Sequence, residues 1–80
     1  MNKQNKKTTD LGQLLNQEVN VGVRLREIRK KKKYSLRSLA EKSNLNLNTL
    51  SMIENSKTSP SVSTLQRISN ALEIPISYFF

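Results

Sequence analysis

No side chain in this sequence can act as a thiolate nucleophile, a disulfide partner or an imidazole base, because its 80 residues include neither cysteine nor histidine. That removes the commonest metal ligand and the commonest general base, and with them every thiolate site. Six carboxylates remain (Asp10, Glu18, Glu27, Glu41, Glu54, Glu73), and none has an evident catalytic partner. Neither an enzyme nor a metal or cofactor site is expected. The chemistry on offer is cationic. Fourteen Lys and Arg stand against six Asp and Glu, a net charge of +8. A small domain this basic is suited to a polyanion. The charge is concentrated too, with nine Lys or Arg against two Glu in residues 24–42. The plainer alternative is a solvated face that keeps the domain soluble.

The elements that must present these charges read as helices. Residues 1–9 carry no apolar position apart from Met1 and read as a flexible basic tail. Asp10 can cap a short helix over 10–17, with Leu11, Leu14 and Leu15 at i, i+3, i+4. Gly12 weakens that helix, and Gly22 is expected at a boundary. The domain organisation expected is therefore a flexible segment over 1–20 and a folded domain over 21–80. In the latter, Val21, Leu25 and Ile28 mark a first helix that fades in Lys30–Lys33. Ser35 caps a second, with Leu36, Leu39 and Ala40 inward. Asn46 caps a third, with Leu45 as its staple, Leu50 and Ile53 inward, and Leu47, Asn48, Ser51, Met52 and Asn55 outward. Ser61 caps a fourth, with Val62, Leu65, Ile68, Ala71 and Leu72 on one face. Pro75 is placed to open a fifth. The fold class expected is all-α, five short helices. No stretch of ~18 apolar residues offers a transmembrane span, and no apolar run follows the N-terminal lysines as a secretory signal requires.

The second and third helices straddle a tight turn at Ser43–Asn46, a helix-turn-helix arrangement. In such a unit the first helix crosses the DNA backbone, and the second lies in the major groove with its N-terminal residues on base edges. Ala40 is the small residue that allows the close approach. Residues 21–80, about three quarters of the chain, resemble the phage repressor and Cro type of helix-turn-helix domain, the XRE family. The matching stretches are Val23-Arg24-Leu25-Arg26-Glu27-Ile28-Arg29, Tyr34-Ser35-Leu36-Arg37-Ser38-Leu39-Ala40, Leu50-Ser51-Met52-Ile53-Glu54, Pro60-Ser61-Val62-Ser63-Thr64-Leu65 and Ala71-Leu72-Glu73-Ile74-Pro75-Ile76.

The resemblance implies roles for particular residues. Asn46, Leu47, Asn48, Ser51 and Met52 fall on the groove-facing side of the reading helix. There Asn48 would pair with adenine, and Leu47 or Met52 would touch a thymine methyl. Ser35, Arg37, Asn55, Lys57 and Thr58 fall where phosphates are gripped. Arg29 and Glu54 fall where a structural ion pair ties the first helix to the end of the third. The chain departs from the family at Lys33, Asn44 and Ser56, where glycine is common, and at Leu36, where glutamine is common. These departures bear on turn geometry and on one phosphate contact.

The implied function is a double-stranded-DNA-binding transcription regulator, a repressor, acting in the cytoplasm on the nucleoid as a homodimer on a palindromic operator. A further C-terminal sensor domain is expected in a longer parent chain. Two alternatives stand beside it: an antitoxin-type autoregulator that also binds a toxin, with residues 1–20 as the spare surface, and a module that binds protein rather than DNA. Lying on anionic lipid through residues 22–33 is disfavoured, because the apolar face of that helix belongs to the core pattern. Stacking on single-stranded RNA is disfavoured because none of Tyr34, Tyr78, Phe79 and Phe80 sits on the reading face. Two choices stay open: Tyr78, Phe79 and Phe80 suit core or dimer contact, and Lys30–Lys33 suit a solvated cluster or salt-dependent DNA affinity.

Overall fold

Each helix begins where a small polar side chain can satisfy the amides of its first turn, and these caps fix the architecture. A computed structural model describes residues 20–80, so the expected tail and the helix over 10–17 lie outside the described residues. The elements are α1 (Val21–Lys31), α2 (Leu36–Ser43), α3 (Leu47–Glu54), α4 (Val62–Leu72) and a 3-10 turn (Ile76–Phe79). Oδ1 of Asn20 accepts from the Val23 amide at 3.1 Å. Oγ of Ser35 accepts from Ser38 at 2.9 Å, Oδ1 of Asn46 from Asn48 at 2.8 Å, and Oγ of Ser61 from Thr64 at 3.1 Å. Caps of this kind are worth about 1 kcal/mol each.

Four α-helices form among the described residues, not five. Pro75 is not the first residue of a helix. It is an extended N-cap with φ −71° and ψ 147°, and the four residues after it make a single 3-10 turn. That short turn still drives Phe79 into the core, fully buried, beside Leu25, Leu39, Leu50, Ile53, Ile68 and Leu72. A fully buried side chain of this size contributes roughly 1.5–3 kcal/mol. Phe80 points out, 62% exposed. Val62, expected on the inner face of α4, is 71% exposed. It occupies the first turn of α4, before the helix has run in against α2. Gly22 is not a boundary residue either. It lies buried in the first turn of α1. A Cβ there would stand 2.4 Å from the carbonyl oxygen of Ile53 and 2.9 Å from that of Glu54, so its lack of a side chain is what lets α1 rest on the end of α3.

The C-termini share one device. The residue after each helix or its cap carries positive φ, and none of these four is glycine: Lys33 (64°), Asn44 (58°), Ser56 (59°) and Glu73 (59°). Each closes the paired hydrogen bonds of a Schellman motif. For Asn44 these run from its own amide to the Glu41 carbonyl at 3.1 Å and from the Leu45 amide to the Ala40 carbonyl at 2.8 Å. The turns that glycine commonly serves in the family therefore keep their left-handed geometry without it.

Candidate nucleic-acid interface

Three residues, 44–46, separate α2 from α3, one fewer than the spacing of apolar positions implied, because Ser43 completes α2. Its hydroxyl turns inward and donates to the Leu39 carbonyl at 2.7 Å, so the helix end is buried without an unsatisfied group. Arg67 of α4 donates from Nη2 to the Asn44 carbonyl at 3.1 Å and holds the turn from behind.

Helix α3 is eight residues long and buries Leu50, Ile53 and Glu54. Its other face is open: Leu47 is 37% and Met52 38% exposed, with Asn48 exposed and Ser51 half-buried between them. The structure thus gathers Asn46, Leu47, Asn48, Ser51 and Met52 on one end and one face of α3. Oδ1 of Asn46 is engaged in the cap, so any base contact it makes uses its amide nitrogen. Asn48 Nδ2 lies 4.0 Å from the Met52 sulfur. A major groove admits an α-helix presented by such a face.

The residues expected around the groove fall into two groups. Ser35 caps α2, Arg37 stands exposed in its first turn, and Lys57 and Thr58 stand exposed just after α3. Asn55, by contrast, is already bonded within the domain. Its Nδ2 donates to the Ser51 carbonyl at 2.9 Å, and its Oδ1 accepts from Arg26 Nη2 at 2.7 Å.

Beneath this surface lies an ionic knot. Arg29 donates to Glu54 from Nε at 2.5 Å and from Nη2 at 3.0 Å, and from Nη1 to the Tyr34 carbonyl at 2.9 Å. The Glu54 side chain is 3% exposed and that of Arg29 12%. The hydrogen bonding that Arg29 donates to Glu54 raises the Arg29 pKa above its ordinary value, against the opposing effect of burial. A buried pair broken on one side costs about 3–5 kcal/mol, so this knot fixes the angle of α3 on α1. Tyr34 also accepts from Lys42 Nζ at 2.7 Å through its hydroxyl, which raises the lysine pKa. Arg26, Arg67 and Gly22 all support α3 or the turn before it; Arg26 and Arg67 were not singled out from the sequence, and Gly22 was expected only as a boundary residue. Arg26 carried one signal, standing three residues before Arg29 and so on the same helix face.

The sequence pattern of the HTH_3 helix-turn-helix family matches residues 25–79. The chain belongs to this family. Over 57 residues it is 44% identical to the immunity repressor protein of Bacillus phage phi105, a match covering 71% of this chain and 40% of the repressor. It is 40% identical over 57 residues to the transcriptional regulator SinR of Bacillus subtilis 168, covering 70% of this chain and 51% of SinR. A crystal structure of SinR in complex with DNA superposes with a TM-score of 0.71 at 35% identity, covering 74% of this chain and 95% of that one. The restriction-modification controller protein C.AhdI of Aeromonas hydrophila superposes with a TM-score of 0.75 at 31% identity, covering 78% of this chain and 94% of that one. The HTH_3 chain spans about a third to a half of the length of the curated relatives it matches. No helix among its described residues is long and apolar enough to cross a membrane.

Proposed function

We propose that this domain binds double-stranded DNA in a sequence-specific way and serves a transcription regulator of the repressor type. The observation that carries the proposal is the outward face of α3. A leucine and a methionine, each more than a third exposed, flank an exposed asparagine on a helix whose opposite face is locked into the core. Apolar groups held out on a rigid polar helix suit thymine methyls, and the asparagine suits adenine. In this reading Asn46, Leu47, Asn48, Ser51 and Met52 contact bases. Ser35, Arg37, Lys57 and Thr58 grip phosphates, and Asn55 belongs to that rim. The likeness to a phage repressor and to a regulator solved on DNA supports the same role. The finer assembly we propose is a homodimer on a palindromic operator, with its two reading helices about 34 Å apart.

The test is selection from random-sequence duplex at two salt concentrations, with the wild type and an Asn48→Ala, Met52→Ala double variant. The wild type should enrich one motif. The variant should lose that motif and keep the salt-dependent background binding that charge alone provides. Absence of a motif, with both proteins binding alike, would overturn the proposal and favour a protein partner.

A further inference from the structure

We infer that Arg26, on α1 and outside the helix-turn-helix unit, is a ligand for a DNA phosphate at the C-terminal corner of α3, and that Asn55 positions it. The inference rests on the DNA-binding reading above and deepens it. Glu54 is a single carboxylate facing two guanidinium groups. Arg29 already satisfies it with two short bonds and is itself nearly buried. Arg26 reaches the same carboxylate only at 3.5 Å, through Nε, and its side chain is 45% exposed. One positive charge at this corner is therefore left over, and it lies at the surface.

The direction of that charge is set by Asn55. Its Oδ1 accepts from Arg26 Nη2 at 2.7 Å. Its Nδ2 is turned back onto α3, to the Ser51 carbonyl at 2.9 Å and more weakly to the Ser51 hydroxyl at 3.4 Å. The asparagine amide thus has its donors occupied and its acceptor holding the arginine, which suits it to aiming a cation better than to gripping an anion. The guanidinium has five N–H donors in a fixed fork. The bonds to Glu54 and Asn55 use Nε and Nη2, and a planar fork held on one edge presents its remaining donors bidentately to an oxyanion. The carboxylate it approaches, Glu54, is already paired with Arg29, and the exposed Lys57 follows α3 two residues after Asn55. The corner is accordingly net cationic, and the anion it fits is the phosphate beside the groove that α3 enters.

The experiment compares wild type, Arg26→Gln, Arg26→Lys and Asn55→Ala on the duplex motif selected by the wild type, measuring affinity across a salt series and recording the thermal melt of each protein. Arg26→Gln should weaken binding roughly tenfold on every sequence, as loss of one charged hydrogen-bonding contact does, without changing the preferred motif. Its plot of log K against log salt should be shallower by about 0.9, the signature of one phosphate contact removed. Arg26→Lys should keep the slope while binding less tightly, and Asn55→Ala should keep the slope while losing part of the affinity. Melting temperatures should stay near the wild type, because the Arg29–Glu54 pair is intact. A merely structural arginine would lower the melt and leave the slope alone. An unchanged slope in Arg26→Gln, with a motif still selected by the wild type, overturns this inference and leaves the DNA-binding reading standing. Absence of any selected motif overturns both.

Discussion

A methyl group at position 22 has no room. It would stand 2.4 Å from the Ile53 carbonyl oxygen, inside any real Cβ contact, and 2.9 Å from two further oxygens. Two of these three are backbone atoms at the end of α3, so no side chain can rotate out of the way. Gly22→Ala must therefore lift α1 off α3. We expect a loss of about 1–3 kcal/mol, the usual range for overpacking, even though alanine favours a helix interior by about 1 kcal/mol. Denaturant unfolding measures it, and a variant as stable as the wild type would mean that α1 slides freely on α3. Nothing in the sequence announced this contact. Local spacing shows that Gly22 interrupts an otherwise good helix and invites a boundary there, whereas the reason for the glycine is a carbonyl some thirty residues away. The same holds for Arg26 and Arg67, whose partners lie 29 and 23 residues distant. Leu47, Met52, Leu50 and Ile53 were legible because inward and outward positions on one short helix follow from its own period.

At the scale of the elements, the helix starts were readable and the stops only partly so. Ser35, Asn46 and Ser61 each precede an apolar stripe, and a capping oxygen acts within three residues, so sequence and structure coincide. The ends depend on whether a residue will accept the left-handed region. Asn44 does so readily, but Lys33 and Glu73 each stand there against a cost of roughly 1–2 kcal/mol. Replacing either with glycine removes that strain and adds chain entropy to the unfolded state, worth about 0.5–1 kcal/mol in the opposite sense. Lys33→Gly and Glu73→Gly should each raise stability by about 0.5–1 kcal/mol, and the two should add because they cap different helices. Ser56→Gly should gain less, since Ser56 also donates to Asn20 Oδ1 at 3.2 Å. Thermal melts of the single and double variants check this. A fall in melting temperature for both single variants would show that the lysine and glutamate side chains contribute more than their backbones cost. The fifth helix failed as an expectation for a related reason. Pro75 suits a first helical position by its φ, but its own ψ of 147° is extended, so it caps the turn and does not open it. One 3-10 turn after it suffices to bury Phe79.

For the whole molecule, an eight-residue helix has to be held rigid before it can serve as the proposed reading head. A helix this short has little stability of its own. Here α3 is packed against both α1 and α2, and α2 is backed by α4. The Arg29–Glu54 pair pins its far end, and Arg67 holds the turn before it. One such head covers only a few base pairs, too few to single out one operator among many competing sites. Two heads related by a two-fold axis double the length read, provided that they meet successive major grooves on one side of the duplex, ten base pairs or so apart. This makes the proposed dimer testable through the DNA. Inserting about five base pairs between the half-sites turns the second half-site to the opposite face of the duplex, where no rigid dimer can reach both. Affinity for that duplex should fall to that of an isolated half-site, although every base the protein contacts is still present. If the lengthened operator binds as tightly as the original, the two heads act independently, and each domain reads its half-site as a monomer.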